Sequence, residues 1–443
     1  MKRKSIIILI IILEVLLLAG GLSALAVLHF RNLKTNETTV STTTIATTTA
    51  APATTAVPTT VPETTVPPTT TEPEPIVYTL SFAGDCTLGN HRGDYGSAYS
   101  FMGIVGQNYD YPFANVLTYF GNDDFTFVNF EGTLTESRSY VEKSFNFHAP
   151  ADYAKILPAG SIEMVTLSNN HAYDYGYQGY VDTQAALDAE NIPYVGSGDT
   201  YLYTTESGLI IGVYANAFFY DAEAMAASIA SLREQGAEIV VVAMHWGIER
   251  DYYPSSDQIY MAHAAIDAGA DIVAGHHPHV LQPMEAYNGG VIYYSLGNFS
   301  FGGNYNPSDK DSVVVQQQVL RDPDGTVRLG ETIINPCSIT SEPSYNNYQP
   351  TPLEPDSDAY ARVLVKLGVD EEGKLQTLDQ IVGYTYGYPS SSQSTTTQTT
   401  PPPTTTPPTT TPPETAVTTT PVTTSAAPPE TTVSTTTQPA SQP

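Results

Sequence analysis

The sequence predicts an α/β domain spanning residues 76–388, on three observations. Between residues 76 and 302, short β-branched apolar runs alternate with segments of helical periodicity. Every such run stops at a polar cluster, and the flanks at 29–75 and 389–443 are too poor in large apolar residues to join a core. Alternation of this kind implies a mainly parallel sheet, and ligands of such sheets collect beyond the carboxyl ends of the strands.

The elements follow in order. The run at 76–82 leads to Gly84-Asp85, that at 125–128 to Asn129-Phe130-Glu131, and that at 162–167 to Asn169-Asn170-His171. The run at 239–244 leads to His245-Trp246-Gly247, and the one at 272–274 to Gly275-His276-His277-Pro278-His279. Helical candidates lie at 113–121, 178–190, 221–235 and 255–268. Past residue 305, segments 313–320, 326–334 and 361–367 read as strands that complete a second sheet.

Both ends of the chain fall outside this domain. Residues 1–4, Met-Lys-Arg-Lys, precede an apolar stretch at 5–28 whose single charge is Glu14. As a helix this stretch extends about 36 Å, enough to cross a bilayer core of about 30 Å. Its length exceeds the 7–15 residues usual for a cleaved signal peptide, although Ala24-Leu25-Ala26 resembles a cleavage site. Lys2, Arg3 and Lys4 favour a cytoplasmic N-terminus. The expected order is a cytoplasmic tip (1–4), a transmembrane signal-anchor helix (5–28), a Thr/Pro-rich linker (29–75), the domain (76–388) on the extracellular side, and a disordered Thr/Pro-rich tail (389–443). As polyproline II, residues 35–75 would reach about 130 Å from the membrane.

Charge narrows the partners. The domain carries 12 basic and 39 acidic residues, a net −27. That balance excludes nucleic acid and anionic lipid as ligands. A polyanionic substrate would need local cations, which bound metal ions supply. Two cysteines, Cys86 and Cys337, are too few for a disulfide scaffold; they could pair, and Cys86 reads as a small buried residue.

Only nine histidines occur in 443 residues, and five of them, His171, His245, His276, His277 and His279, fall in three segments that each end an apolar run. Taken singly, these residues have plainer roles. Asp85 suits an Asx turn, Glu131 a solvated loop, Asn169 and Asn170 a left-handed turn, and His245 beside Trp246 a core pair. Their convergence on one sheet edge is what points to chemistry. Asp85, Glu131, Asn170, His171, His245, His277 and His279 offer carboxylate, amide and imidazole donors without thiolate. That set suits one or two divalent ions such as Mn, Zn or Fe. Two ions about 3.5–4 Å apart, bridged by a carboxylate such as Glu131, clamp both oxygens of a displacement and lower the pKa of bound water.

Six ordered motifs resemble the CapA family, the poly-γ-glutamate capsule synthesis proteins. They are Phe82-Ala83-Gly84-Asp85, Asn129-Phe130-Glu131-Gly132, Ser168-Asn169-Asn170-His171 with Asp174, Met244-His245-Trp246-Gly247, Gly275-His276-His277-Pro278-His279, and Tyr294-Ser295-Leu296-Gly297-Asn298-Phe299. The family resembles the calcineurin-like metallophosphoesterases, which implies a two-sheet β-sandwich flanked by helices. The resemblance makes Asp85 a ligand of a first metal, Glu131 the bridging carboxylate, Asn170 and His245 ligands of a second metal, and His277 and His279 the closing pair. It places His171 where a histidine donates a proton to the leaving group, with Asp174, His276 and Asn298 as supporting or substrate-orienting residues. Three positions depart from the phosphoesterase pattern: Thr87 stands where an imidazole is usual, Glu131 replaces an aspartate, and His276 replaces a glycine. Two-metal, one-metal and metal-free centres all stay open at Thr87. The resemblance implies a membrane-anchored protein of capsule polymer synthesis, anchoring or release. It would act by hydrolysis or transfer at a phosphoester or acyl bond, or as a non-catalytic scaffold that binds an anionic cell-surface polymer or capsule synthase subunits. Paired-carboxylate glycoside chemistry through Asp85 and Glu131 leaves the histidines without a role.

Overall fold

A computed structural model describes residues 73–381 other than Tyr95 and Phe219. The expected membrane helix at 5–28, nearly all of the 29–75 linker, the last residues of the 76–388 domain and the 389–443 tail lie outside the described residues. Among the described residues, no helix is long and apolar enough to cross a membrane.

Along the chain come β1 (Ile76–Thr87), β2 (Phe125–Phe130), β3 (Met164–Thr166), α1 (Gly176–Ala189), β4 (Tyr194–Val195), β5 (Thr200–Thr204) and β6 (Ile210–Ala217). They are followed by α2 (Ala222–Glu234), β7 (Ile239–His245), α3 (Ser256–Asp267), β8 (Ile272–His276), β9 (Met284–Tyr287), β10 (Gly290–Tyr293) and β11 (Asn298–Phe301). Last are β12 (Asp311–Arg321), β13 (Val327–Ser338), β14 (Thr351–Pro352) and α4 (Asp358–Leu367).

The strands form two large mixed sheets where alternation alone suggests one parallel sheet. The first has the order β14-β13-β12-β1-β2-β3-β4, with β11 also paired to β1; the second has the order β9-β10-β8-β7-β6-β5. In both, the strands that end at the polar clusters pair in parallel, while β12 and β13 are antiparallel additions.

Period-2 alternation sorts the side chains of each strand into two layers. Leu80 and Phe82 of β1 share one core with Phe127, Val213, Val241, Ala243, Ala274 and Tyr293, so the inner faces of the two sheets pack on each other. Ala83, Val128 and Val165 turn the other way, into a core capped by segments such as Phe101, Phe113 and Leu157. Val240, Val242 and Met244 pack outward against Met225 and Ile229 of α2 and Ala262 of α3. The result is two stacked sheets with helices on both outer faces.

The segment expected as a strand at 361–367 is a helix, α4. Ser357 caps it by accepting a hydrogen bond from the Tyr360 N–H, Gly368 ends it at φ 66°, and the four-residue spacing of buried Val363 and Leu367 puts both on one face. Three apolar residues in a row mimic strand composition there, whereas the caps are specific to a helix. The helix expected at 113–121 shrinks to Leu117–Phe120. Cys86 and Cys337 are both free and buried, so they do not pair.

A candidate metal centre at the strand ends

Register brings the site together. Asp85 lies beside Asn129 of β2 on one side and Asn298 of β11 on the other, and His245 of β7 lies beside His276 of β8. Between Phe82 and Asp85 the β1–β2 register shifts, which lets the end of β1 engage β11 as well. Glycine is needed at this bend: a Cβ at Gly84 would sit 2.0 Å from the Gly297 carbonyl oxygen. The Asp85 N–H donates to that same carbonyl at 2.8 Å.

The Asp85 and Glu131 carboxylates are fully buried. Asn129 orients both, its Nδ2 donating to Asp85 Oδ1 at 2.8 Å and reaching Glu131 Oε2 at 3.4 Å. Asn169 fixes that amide in turn by donating to Asn129 Oδ1 at 3.0 Å. His277 and His279 have φ of 95° and 57°. Two non-glycine residues in the left-handed region, one on each side of Pro278, are a strained turn of the kind that persists where the surroundings over-determine it. His279 Nδ1 lies 3.1 Å from Asp85 Oδ2 and 3.0 Å from Asn298 Oδ1, and its Nε2 lies 3.7 Å from Glu131 Oε1. His276 Nδ1 is 3.4 Å from Asp85 Oδ1. His245 Nε2 is 2.8 Å from Asn170 Oδ1. Trp246, next in the strand, turns away into the outer core and donates its indole N–H to the Tyr294 carbonyl.

Two groups of possible ligand atoms result. Asp85, Glu131 and His245 form one and Glu249, His277 and His279 the other, each with its atoms within 4.8 Å of one another. Four buried polar atoms of the centre have no hydrogen-bond partner: Glu131 Oε1, His277 Nδ1 and both ring nitrogens of His276. A buried group left unpaired costs about 1–3 kcal/mol. Orphaned lone pairs in a set of imidazoles and carboxylates fit a divalent cation.

Burial and mutual charge set the protonation states. Desolvation works to raise Asp85, but the His276 and His279 imidazoles outweigh it and hold its carboxyl well below the usual range. Desolvation pushes Glu131 up to about 8, with Asp85 adding repulsion against the pull of His279. Burial opposes charge on His279, yet Glu131 and Asp85 raise it to about 9. Burial, helped by the neighbouring His279, lowers His277 to about 4. Burial also holds His245 well below the ordinary imidazole value.

His171 approaches from the β3 exit loop, its Nε2 3.7 Å from Glu131 Oε1. Its Nδ1 meets Asp174 Oδ2 at 2.8 Å, which assigns the proton to Nδ1 and leaves Nε2 facing the centre. Asp174 is fully buried, accepts the Phe147 N–H at 2.6 Å and pairs with Lys143. Burial lowers His171 despite the opposing pull of Asp174.

All ten residues singled out in the sequence lie in this neighbourhood. Sequence reasoning missed Glu249 and Lys143 and gave Asn129 no role of its own. Asn129 stands inside a quoted motif, and Glu249 follows His245 by four residues in the same strand-exit loop, so both had a signal. Lys143 had none. Asn169 and Asn170 are not in left-handed conformations, and Asn169 works through its side-chain amide.

Fold and centre define a class: a two-sheet α/β protein with a buried histidine–carboxylate site suited to a divalent metal. The family model described as "Bacterial capsule synthesis protein PGA_cap" matches residues 79–210 and 202–303, and the chain belongs to that family of bacterial capsule synthesis proteins. "Capsule biosynthesis protein CapA" of Bacillus anthracis is 33% identical over 286 residues, covering 58% of this chain and 67% of that protein. "PGA biosynthesis protein CapA" of Bacillus subtilis (strain 168) is 31% identical over 331 residues, covering 68% and 82%. Among solved structures, the NAD nucleotidase of Haemophilus influenzae aligns over 66% of this chain and 55% of its own, at 14% identity and a TM-score of 0.34, too low to carry an argument.

Proposed function

We propose that this chain is an accessory protein of capsule polymer synthesis that acts as a metal-dependent hydrolase or transferase on an anionic cell-surface polymer, poly-γ-glutamate or a related one. The observation that carries the catalytic reading is the cluster of orphaned buried donors, Glu131 Oε1, His277 Nδ1 and the His276 ring, around an ionised Asp85. Asp85, Glu131, Asn170, His245, His277 and His279 would hold one or two divalent ions, Mn, Zn or Fe. Such an ion supplies Lewis-acid polarisation and lowers the pKa of water. The chain does the rest. Asn129 keeps the two carboxylates aimed inward, and Asn298 sets the His279 ring. His171, oriented through its Nδ1–H by Asp174, presents Nε2 to the centre, where it would first take up a proton and then pass it to a leaving group. Phe147 and Phe301 pack on these imidazoles, with ring centroids 4.3 Å from His171 and 5.0 Å from His279.

The proposed location rests on the composition of the flanking segments. The apolar stretch at 5–28 behind Lys2, Arg3 and Lys4 supports a single-pass anchor, with the domain outside the cell on a Thr/Pro-rich stalk. A scaffold that binds polymer or synthase subunits without turnover is favoured by one observation: Thr87, where a first metal would take an imidazole, is buried with an unpartnered hydroxyl.

Elemental analysis of the purified protein together with turnover of bis-p-nitrophenyl phosphate decides between the two. The hydrolase reading expects about one to two Mn, Zn or Fe per chain and turnover that His171→Ala abolishes while the metal stays. Metal-free protein whose behaviour is unchanged by replacing His277 and His279 refutes it.

A further inference from the structure

We propose that the cleft beside the histidine centre is a subsite for one anionic unit of the polymer, with Arg250 as the residue that binds its acid group. The cleft opens at His171 and His279 and encloses a cavity of about 160 Å³. It is open to solvent on one side, so a single short-stemmed unit of a longer chain can enter it. Its walls include the rings of Phe145, Phe147, Tyr252 and Phe301 among polar residues such as Asn298 and Asn304, and the rings suit an aliphatic stem.

Arg250 lines the same cleft. The chain holds 17 lysines and arginines against 46 acidic residues, and its described cations are largely committed. Lys143 pairs with Asp174, Lys366 with Asp309 and Asp311, Arg362 with Asp311, Arg321 with Glu238, and Arg233 with Asp271. The Arg250 guanidinium is exposed and makes no ion pair among the described residues. Its backbone sits at φ 65° and its N–H donates to the Pro278 carbonyl at 2.8 Å. Arg250 is thus tied to the turn that presents His277 and His279. A non-glycine residue persists in that left-handed conformation where its surroundings hold it.

Of the acids lining the cleft, Asp309 pairs with Lys366, whereas Glu249 makes no ion pair among the described residues and lies within ligand distance of His277 and His279. Arg250 is the one lysine or arginine among the described residues lining the cleft, a planar fork of donors that matches a carboxylate or a phosphate. The inference rests on the proposed function for the polymer and for where the reacting bond sits.

Titration calorimetry on the purified full chain tests it through binding alone, so absence of turnover leaves the readout intact. The probes are a γ-linked glutamate tetramer, its neutral amidated analogue, and glycerol 3-phosphate. A charged hydrogen bond lost on Arg250→Ala weakens binding by about tenfold to hundredfold. That loss is expected for the tetramer, for glycerol phosphate, or for both, which names the acid group. The neutral analogue should bind both forms equally, and Phe145→Ala should weaken every probe that binds. An unchanged melting temperature shows that the variants are folded. Equal affinity of wild type and Arg250→Ala for both anions overturns the proposal, as does equal loss for the neutral analogue, or no binding of any probe.

Discussion

Replacing Asp85 by Asn tests the centre most directly, because it keeps the shape of the side chain and removes its charge. Two effects should separate. In protein stripped with EDTA, Asp85 balances the charge of His279, which lies 3.1 Å away and is raised to about 9. Breaking a buried pair of this kind costs about 3–5 kcal/mol. Unfolding entropy is about 2.1 cal/mol/K per residue, so about 310 ordered residues give about 0.65 kcal/mol per degree. The stripped variant should therefore melt about 5–8 °C below stripped wild type. Metal gives the second effect. At a hundred times its dissociation constant a ligand adds about 2.7 kcal/mol, here about 4 °C. Wild type should show that rise with Mn or Zn, and Asp85→Asn should lose most of it at the same concentration. Since His279 is raised to about 9 and Glu131 to about 8, both hold a proton at pH 7 that a metal must displace. Loading at pH 7 should thus release about two protons per site, and affinity should climb until pH passes about 9. Calorimetry in buffers of different ionisation enthalpy counts those protons. An equal metal-induced rise in the variant and wild type, or no proton release, would refute the reasoning.

Gly84→Ala should lower stability by about 1–3 kcal/mol through overpacking against Gly297 and weaken metal binding by spreading β1 from β11; unaltered metal affinity would show that this spacing does not position Asp85. Asp311, 6% exposed, accepts hydrogen bonds from Arg362 and pairs with Lys366, and although burial opposes it these cations hold its carboxyl below the usual value. A depressed carboxyl stabilises above its unfolded pKa and loses that contribution as pH falls through the folded one. Asp311→Asn should therefore cost about 1 kcal/mol at pH 7, discounted because Arg362 is half exposed, and nothing in strong acid. Urea melts at the two pH values measure this, and an equal deficit at both would show that charge is not the cause.

Much of the site could be read from the chain because strand periodicity has a directional consequence. A run of apolar residues that must be buried on both faces ends where the polar residues begin, so each cluster is fixed at a strand end before any pairing is known. That is why Asp85, Glu131, Asn170, His245 and the His276–His279 turn could be grouped from their positions alone. The same rule failed at 361–367, where three apolar residues fit strand and helix alike and the caps at Ser357 and Gly368 decided. It also could not reach Lys143, which lies in a loop with no periodicity and meets Asp174 only through the fold.

The chain alone determined which residue types stand at strand ends, the acidic balance of the domain, and the family motifs in their order. Tertiary structure alone decided that the strands divide into two stacked sheets, that Glu249 lies with His277 and His279, that Asn129 bridges Asp85 and Glu131, and that Arg250 lines the cleft beside them. The division has a physical reason. Burial periodicity is a local property carried by neighbouring residues, whereas register, the close approach at Gly84 and the pairing of charges arise between segments up to about two hundred residues apart, where only packing selects the partner.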